Sequence, residues 1–139
     1  MDILSEHIVS ARISAHEKPL IFAVDDDPVI LNTINAFLGD SYKVIALTSG
    51  DNMLKAFEKH SPELFLLDIE MPGMNGYELI KQIRAREKFK NTPILIITGL
   101  STREAVAAAR THGASGYMLK PLSKNTLLDK IHAHLTVSR

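Results

Sequence analysis

Short, nearly uninterrupted aliphatic runs alternate along this chain with stretches in which apolar residues recur every three or four positions. The runs Leu20 to Val24, Tyr42 to Leu47, Leu64 to Leu67, Pro93 to Ile97 and Gly116 to Leu119 read as strands buried on both faces. Between them, helical spacing links Ile30, Ile34 and Phe37, then Met53, Leu54 and Phe57, then Leu79, Ile80 and Ile83, then Val106 and Ala109. A last helix carries Leu127, Leu128, Ile131 and Leu135 on one face. Strands alternating with helices predict right-handed crossovers and an open, parallel α/β sheet with helices on both faces. Boundary signals agree with this division. Asp27 before Pro28 is an N-cap with proline at the first helical position, Ser101 with Glu104 forms a capping box, Ser123 precedes the last helix, and Gly113 stops the fourth.

In such a sheet a ligand site lies outside the carboxyl ends of the strands. There the first strand delivers Asp25 and Asp26, the third Asp68, the fourth Thr98 and the fifth Lys120. Taken singly, each is an ordinary polar loop residue. As a set they are three acids, a hydroxyl and a lysine at one edge. Like charges about 4 Å apart repel by roughly 4 kcal/mol at an effective dielectric near 20, so crowded carboxylates call for a cation. Magnesium, a hard cation that takes oxygen ligands and keeps several waters, suits three convergent carboxylates. Asp27 is assigned to its helix cap, which leaves Asp25 and Asp26 for the metal.

Composition narrows the classes of function. The chain has 139 residues, 45% hydrophobic and 23% charged, enough for one domain with a real core. Lys plus Arg and Asp plus Glu balance at 16 each, so no global field draws it to nucleic acid or to an anionic membrane. There is no cysteine for disulfide or thiolate chemistry. The first residues lack the pattern of a signal peptide, and no apolar run approaches the about 20 residues that span a bilayer. These features predict a soluble, cytoplasmic protein. Histidine metal sites are discounted, because His132 and His134 point to different sides of a helix and His7, His16, His60 and His112 have no partner at ligand spacing. The basic run from Lys81 to Lys90 reads as a solvated helix face and loop. Residues 1–18 form an N-terminal extension in which Leu4, Ile8 and Ala11 fit a short helix, and residues 19–137 form the domain.

The segments "VDDDP", "LLDIEMPGMNGYEL", "ILIITG" and "GYMLKPLS" together resemble the response-regulator receiver domain, the CheY-like phosphoacceptor module of two-component signalling. The separations also fit: 42 residues from Asp26 to Asp68, 30 to Thr98 and 22 more to Lys120. The resemblance implies a five-stranded parallel sheet in the flavodoxin-like order 2-1-3-4-5. It implies Asp68 as phosphoacceptor, with a histidine kinase or phosphotransfer protein as donor. Asp25, Asp26, Asp68 and the backbone carbonyl of Glu70 would hold Mg2+. Thr98 and Lys120 would contact the phosphoryl group, with the Lys120–Pro121 bond cis. Pro72, Gly73 and Gly76 would supply the fixed and positive dihedrals of the loop after the acceptor. Tyr117 reads either as half-buried packing with its hydroxyl at the surface or, by the resemblance, as the partner of Thr98 in a switch read out on the fourth helix, fifth strand and fifth helix.

Three functions are compatible with these residues. The first is a stand-alone receiver, not an enzyme beyond self-phosphorylation and self-dephosphorylation. It would act on a downstream protein target as a monomer or a phosphorylation-dependent dimer. The second is a receiver cut from a larger regulator or hybrid kinase whose output domain is missing. The third is a magnesium-dependent phosphohydrolase with an aspartyl nucleophile, for which Glu70 stands where such enzymes usually carry Asp.

Overall fold

A strand covered on both faces has no polar side to present. In the computed structural model, which describes residues 18–138, β1 (Leu20–Val24), β3 (Leu64–Leu67) and β4 (Ile94–Thr98) accordingly form the buried centre of the sheet. β2 (Lys43–Leu47) and β5 (Gly116–Leu119) are the edges, more exposed and more mixed in composition. All neighbours are parallel, as the strand–helix alternation predicts, in the order β2-β1-β3-β4-β5 that the resemblance implies.

Alternate residues of each strand face opposite layers. Phe22, Val24, Phe65, Leu67, Ile94 and Ile96 pack beneath α2 (Gly50–Ala56), α3 (Gly76–Arg84) and α4 (Arg103–His112) through Met53, Leu79, Ile80, Ile83 and Ala109. Ile21, Ala23, Leu64, Leu66, Leu95 and Ile97 face α1 (Pro28–Leu38) and α5 (Lys124–Ser138) through Leu31, Ile34, Leu127 and Ile131. The first layer is rich in aromatics. Phe57 stacks on Phe22 at 5.9 Å, and Phe65 meets both edge-on. Burying a large apolar side chain contributes roughly 1.5–3 kcal/mol, so these layers carry most of the fold's stability.

Side chains cap all five helices, Ser123 capping α5 by accepting from Thr126 N at 3.4 Å. The Asp27 carboxylate accepts from Val29 N at 2.9 Å with Pro28 at the first helical position, Ser49 caps α2, Asn75 caps α3, and Thr102 caps α4 by accepting from Ala105 N at 3.1 Å. The predicted cap at Ser101 is therefore displaced by one residue. Gly113 ends α4 in the left-handed region at φ 115°, as its position predicts.

Three strand limits also differ from the predicted ones. Tyr42 lies outside β2, its N–H spent on Leu38 O at the end of α1. Pro93 has no N–H to offer the sheet and β4 begins after it, while Thr98 pairs with Leu119 and so ends the strand instead of following it. A short 3-10 turn, Glu87–Phe89, precedes β4. The extension with Leu4, Ile8 and Ala11 lies outside the described residues. Among the described residues no helix is long and apolar enough to cross a membrane.

Candidate functional site

The strand order reverses direction between β1 and β3, and the crevice at that switch point is where a doubly wound sheet places ligands. Register aligns the two strands there, with Val24 opposite Leu67. The next residue of each is an aspartate, so Asp25 and Asp68 emerge side by side. Asp68 N donates to Val24 O at 3.0 Å and Asp25 N to Leu47 O at 3.1 Å, which ties both aspartates to the sheet edge. Asp26 is exposed beside them, and one carboxylate oxygen from each of Asp25, Asp26 and Asp68 lies within 4.8 Å of the others. All these donors are hard oxygens, the set that a divalent cation such as magnesium prefers.

On the other side, Thr98 O accepts from Lys120 N at 2.8 Å, which fixes the backbone from which the Lys120 side chain extends. The Lys120–Pro121 peptide bond is cis. Lys120 Nζ reaches Asp25 Oδ2 at 2.9 Å and Asp68 Oδ2 at 3.1 Å. The remaining oxygens are held by the backbone: Asp27 N donates to Asp25 Oδ1 at 2.9 Å, and Glu70 N to Asp68 Oδ1 at 3.0 Å. Asp25 and Asp68 are 2% and 6% exposed, so their mutual repulsion is poorly screened by water.

The site is short of positive charge. Burial pushes the Asp25 pKa above the ordinary 3.8; the Lys120 hydrogen bond, the Asp27 amide and the Lys120 charge oppose this, the Asp68 charge adds to it, and the net shift is upward. Burial pulls Lys120 down, but its bonds to Asp25 and Asp68 and their charges outweigh that and raise it. A carboxylate whose pKa is raised on folding binds protons more readily in the folded state, so its ionised form destabilises the fold at neutral pH and the cost is relieved as pH falls. In metal-free buffer, Asp25→Asn is therefore expected to raise the thermal midpoint by a few degrees at neutral pH. The gap to wild type should narrow as pH falls through the raised Asp25 pKa. Thermal melts in a chelator across that range check this, and a variant less stable than wild type at neutral pH would contradict it.

Thr98 is wholly buried at the end of β4, and its hydroxyl accepts from Leu100 N at 3.3 Å. Tyr117 is half-buried and donates its hydroxyl to Leu100 O at 2.8 Å, so both side chains grip the same residue of the loop leading to α4. Burial, with Tyr77, Glu70 and Asp68 nearby, raises the Tyr117 pKa and keeps that hydroxyl a donor. Glu70 is exposed.

In the loop after Asp68, only Gly73 has a positive φ, 85°. Gly76 is required for a different reason than a positive dihedral: a Cβ there would stand 2.4 Å from Ile69 Cα. Reading the run from Lys81 to Lys90 as solvated misses Arg84, which is half-buried and bonded to backbone carbonyls. Its position directly after the buried Ile83 is the one local signal of that role.

Fold and site together define a doubly wound, CheY-like domain with an acidic cluster and a lysine at its switch point. Residues 21–132 match the model of the response regulator receiver domain, and the chain belongs to that family, the receiver modules of two-component signalling. Regulatory protein VanRB of Enterococcus faecalis is 40% identical over 83% of this chain and 51% of its own length. The autoinducer sensor kinase/phosphatase CqsS of Vibrio cholerae is 32% identical over 94% of this chain and 19% of its own length. The chain thus spans about half, or less, of these two relatives. The chemotaxis response regulator CheY4 of Vibrio cholerae superposes with a TM-score of 0.79 at 30% identity, covering 84% of this chain and 98% of that one. Receiver domains interact with histidine kinases and phosphotransfer proteins.

Proposed function

We propose that this chain is a phosphoacceptor receiver that takes a phosphoryl group onto Asp68 and passes the change to the face formed by α4, β5 and α5. One observation carries the reading: Asp68, buried in the switch-point crevice, shares a cluster with Asp25 and Asp26 and is contacted by Lys120 at 3.1 Å. In the transfer, an Asp68 carboxylate oxygen forms a bond to phosphorus as the phosphorus–nitrogen bond of a phosphohistidine breaks, its electron pair returning to the imidazole. Such a transfer needs positioning and charge neutralisation more than covalent help.

Asp25, Asp26, Asp68 and the Glu70 carbonyl would hold Mg2+, which supplies charge neutralisation on the transferring group when bound. Lys120 adds a second cation, and buried Thr98 offers its hydroxyl. If that hydroxyl turns to the phosphoryl group, Leu100 N loses its acceptor, and Tyr117, bonded to the same residue, feels the change. The histidine kinase or phosphotransfer protein acts as donor. The output is a downstream protein target or a domain of the same polypeptide: VanRB and CqsS extend well past the matched region, whereas CheY4 is matched over 98% of its length. Residues 19–137 would be the receiver unit, cytoplasmic, without a free metabolic substrate, and a monomer or phosphorylation-dependent dimer.

The test is incubation with acetyl phosphate and magnesium. A single phosphoryl adduct mapping to Asp68, absent when metal is chelated, is expected; an adduct elsewhere would defeat the assignment. Within the cluster, Asp26→Ala is expected to weaken magnesium binding on the order of tenfold or more, whereas Asp27→Ala costs about 1 kcal/mol of helix capping and little affinity. Equal losses in a metal titration of the two variants would contradict this division.

A further inference from the structure

We propose that Arg84 is a positioning residue for the response, a fixed pivot at the far end of α4 that confines movement of that helix to its loop end. The inference rests on the receiver reading and adds the geometry by which the site is coupled to the output face.

The two ends of α4 are held by different chemistry. At the last turn, Gly113 adopts φ 115°, and the helix closes on itself through Gly113 N to Arg110 O at 3.0 Å and Ala114 N to Ala109 O at 2.9 Å. The Gly113 carbonyl is left for another partner. Arg84, at the end of α3, takes it with both arms of a fork, Nε at 3.2 Å and Nη2 at 2.8 Å. Its third nitrogen, Nη1, donates to Phe89 O and Thr92 O, each at 2.7 Å. The guanidinium thus joins the C-terminal cap of α4 to the 3-10 turn and the segment entering β4. Packing reinforces the contact, since a Cβ on Gly113 would meet Arg84 Nε at 3.2 Å and Cγ at 3.3 Å. Among the described residues no carboxylate pairs with Arg84, so its charge is directed wholly at backbone carbonyls.

Among the described residues, the hydrogen bonds at the opposite end are neutral. Leu100 is gripped by the hydroxyls of Thr98 and Tyr117, and the first turn by Tyr77, whose hydroxyl reaches Ala105 O at 3.4 Å. Residues 101–104 are exposed. Charge-assisted hydrogen bonds are roughly twice as strong as neutral ones. A change at Thr98 therefore acts on the weakly held end of a helix whose other end is clamped. A ten-residue helix is about 15 Å long, so a tilt of about 10° around the clamp moves its first turn by about 2.5 Å and its last turn hardly at all. Lysine cannot reproduce the clamp, because an ammonium has no planar fork to place two donors on one carbonyl and two more on others.

Amide exchange read by mass spectrometry, with and without beryllofluoride and magnesium as the phosphoryl mimic, tests this on the whole chain. In the wild type, the mimic is expected to change exchange in peptides spanning residues 99–107 and to leave 109–115 within about twofold. In Arg84→Lys and Arg84→Met, the mimic should still bind, because Arg84 makes no contact with the acidic cluster. Its effect should now spread to 109–115, with exchange there faster on the order of tenfold. Should Arg84→Met fail to fold, Arg84→Lys, which keeps stem and charge, carries the comparison. Equal changes at both ends of α4 in the wild type, or variants whose response stays confined to 99–107, would overturn the pivot and leave the receiver reading standing. A wild type with no response to the mimic anywhere would overturn the receiver reading itself, and the pivot with it.

Discussion

Asp68→Asn is expected to fold as the wild type does and to take up no phosphoryl group, from acetyl phosphate or from a histidine kinase. The fold should survive because the amide oxygen can still accept from Glu70 N, which stands 3.0 Å from Oδ1, and because removing one charge from a cluster of three acids relieves repulsion. Lys120 keeps Asp25 as a partner at 2.9 Å. Chemistry is what fails, since a neutral amide presents no anionic oxygen to phosphorus. Loss of a nucleophile typically costs at least about a thousandfold, which would bring incorporation to background. Intact-mass spectrometry beside circular dichroism separates the two effects. A stable, magnesium-dependent phosphoryl adduct on the folded variant would mean that another residue is the acceptor.

Lys120→Ala should have the second large effect, with a different signature. Removing a cation aimed at developing negative charge typically slows a reaction by roughly 100-fold or more, and a comparable loss in the phosphorylation rate is expected. Magnesium affinity should stay the same or rise, because the ammonium need not touch the metal and its absence removes a competitor for Asp25 and Asp68. Any phosphorylated variant that does accumulate should fail to shift the amide signals of Thr98 and Leu100, since the lysine no longer helps hold the phosphoryl group at the Thr98 side. Unchanged spectral shifts on phosphorylation, or a wild-type rate, would remove Lys120 from the mechanism.

The difference between what was legible in the sequence and what was not follows from where each residue's partner lies. Asp27 was readable as a cap because its acceptor role is satisfied two residues away, at Val29 N. Gly113 was readable for the same reason, as the end of a helix closed by its own residues. Ser101 and Thr102 are both competent caps one residue apart, and the choice between them rests on the path of the loop held by Tyr117 and Thr98. Gly76 was readable as a loop glycine but not as one required by close approach, because Ile69 is its neighbour only after the chain turns back.

By itself the sequence determined the alternation of strands and helices, the two-sided burial of the central strands, and the delivery of Asp25, Asp26, Asp68 and Lys120 to one edge of a parallel sheet. These follow from hydrophobic period and chain direction, which are local properties. Only the tertiary structure decided that Thr98 ends its strand, that Lys120 divides itself between two buried carboxylates, and that Arg84 clamps the end of α4. A charged pair written far apart in sequence becomes definite only once register brings its strands together. A guanidinium that bonds to carbonyls leaves even less trace, because every residue carries that acceptor and only the fold selects which ones face it.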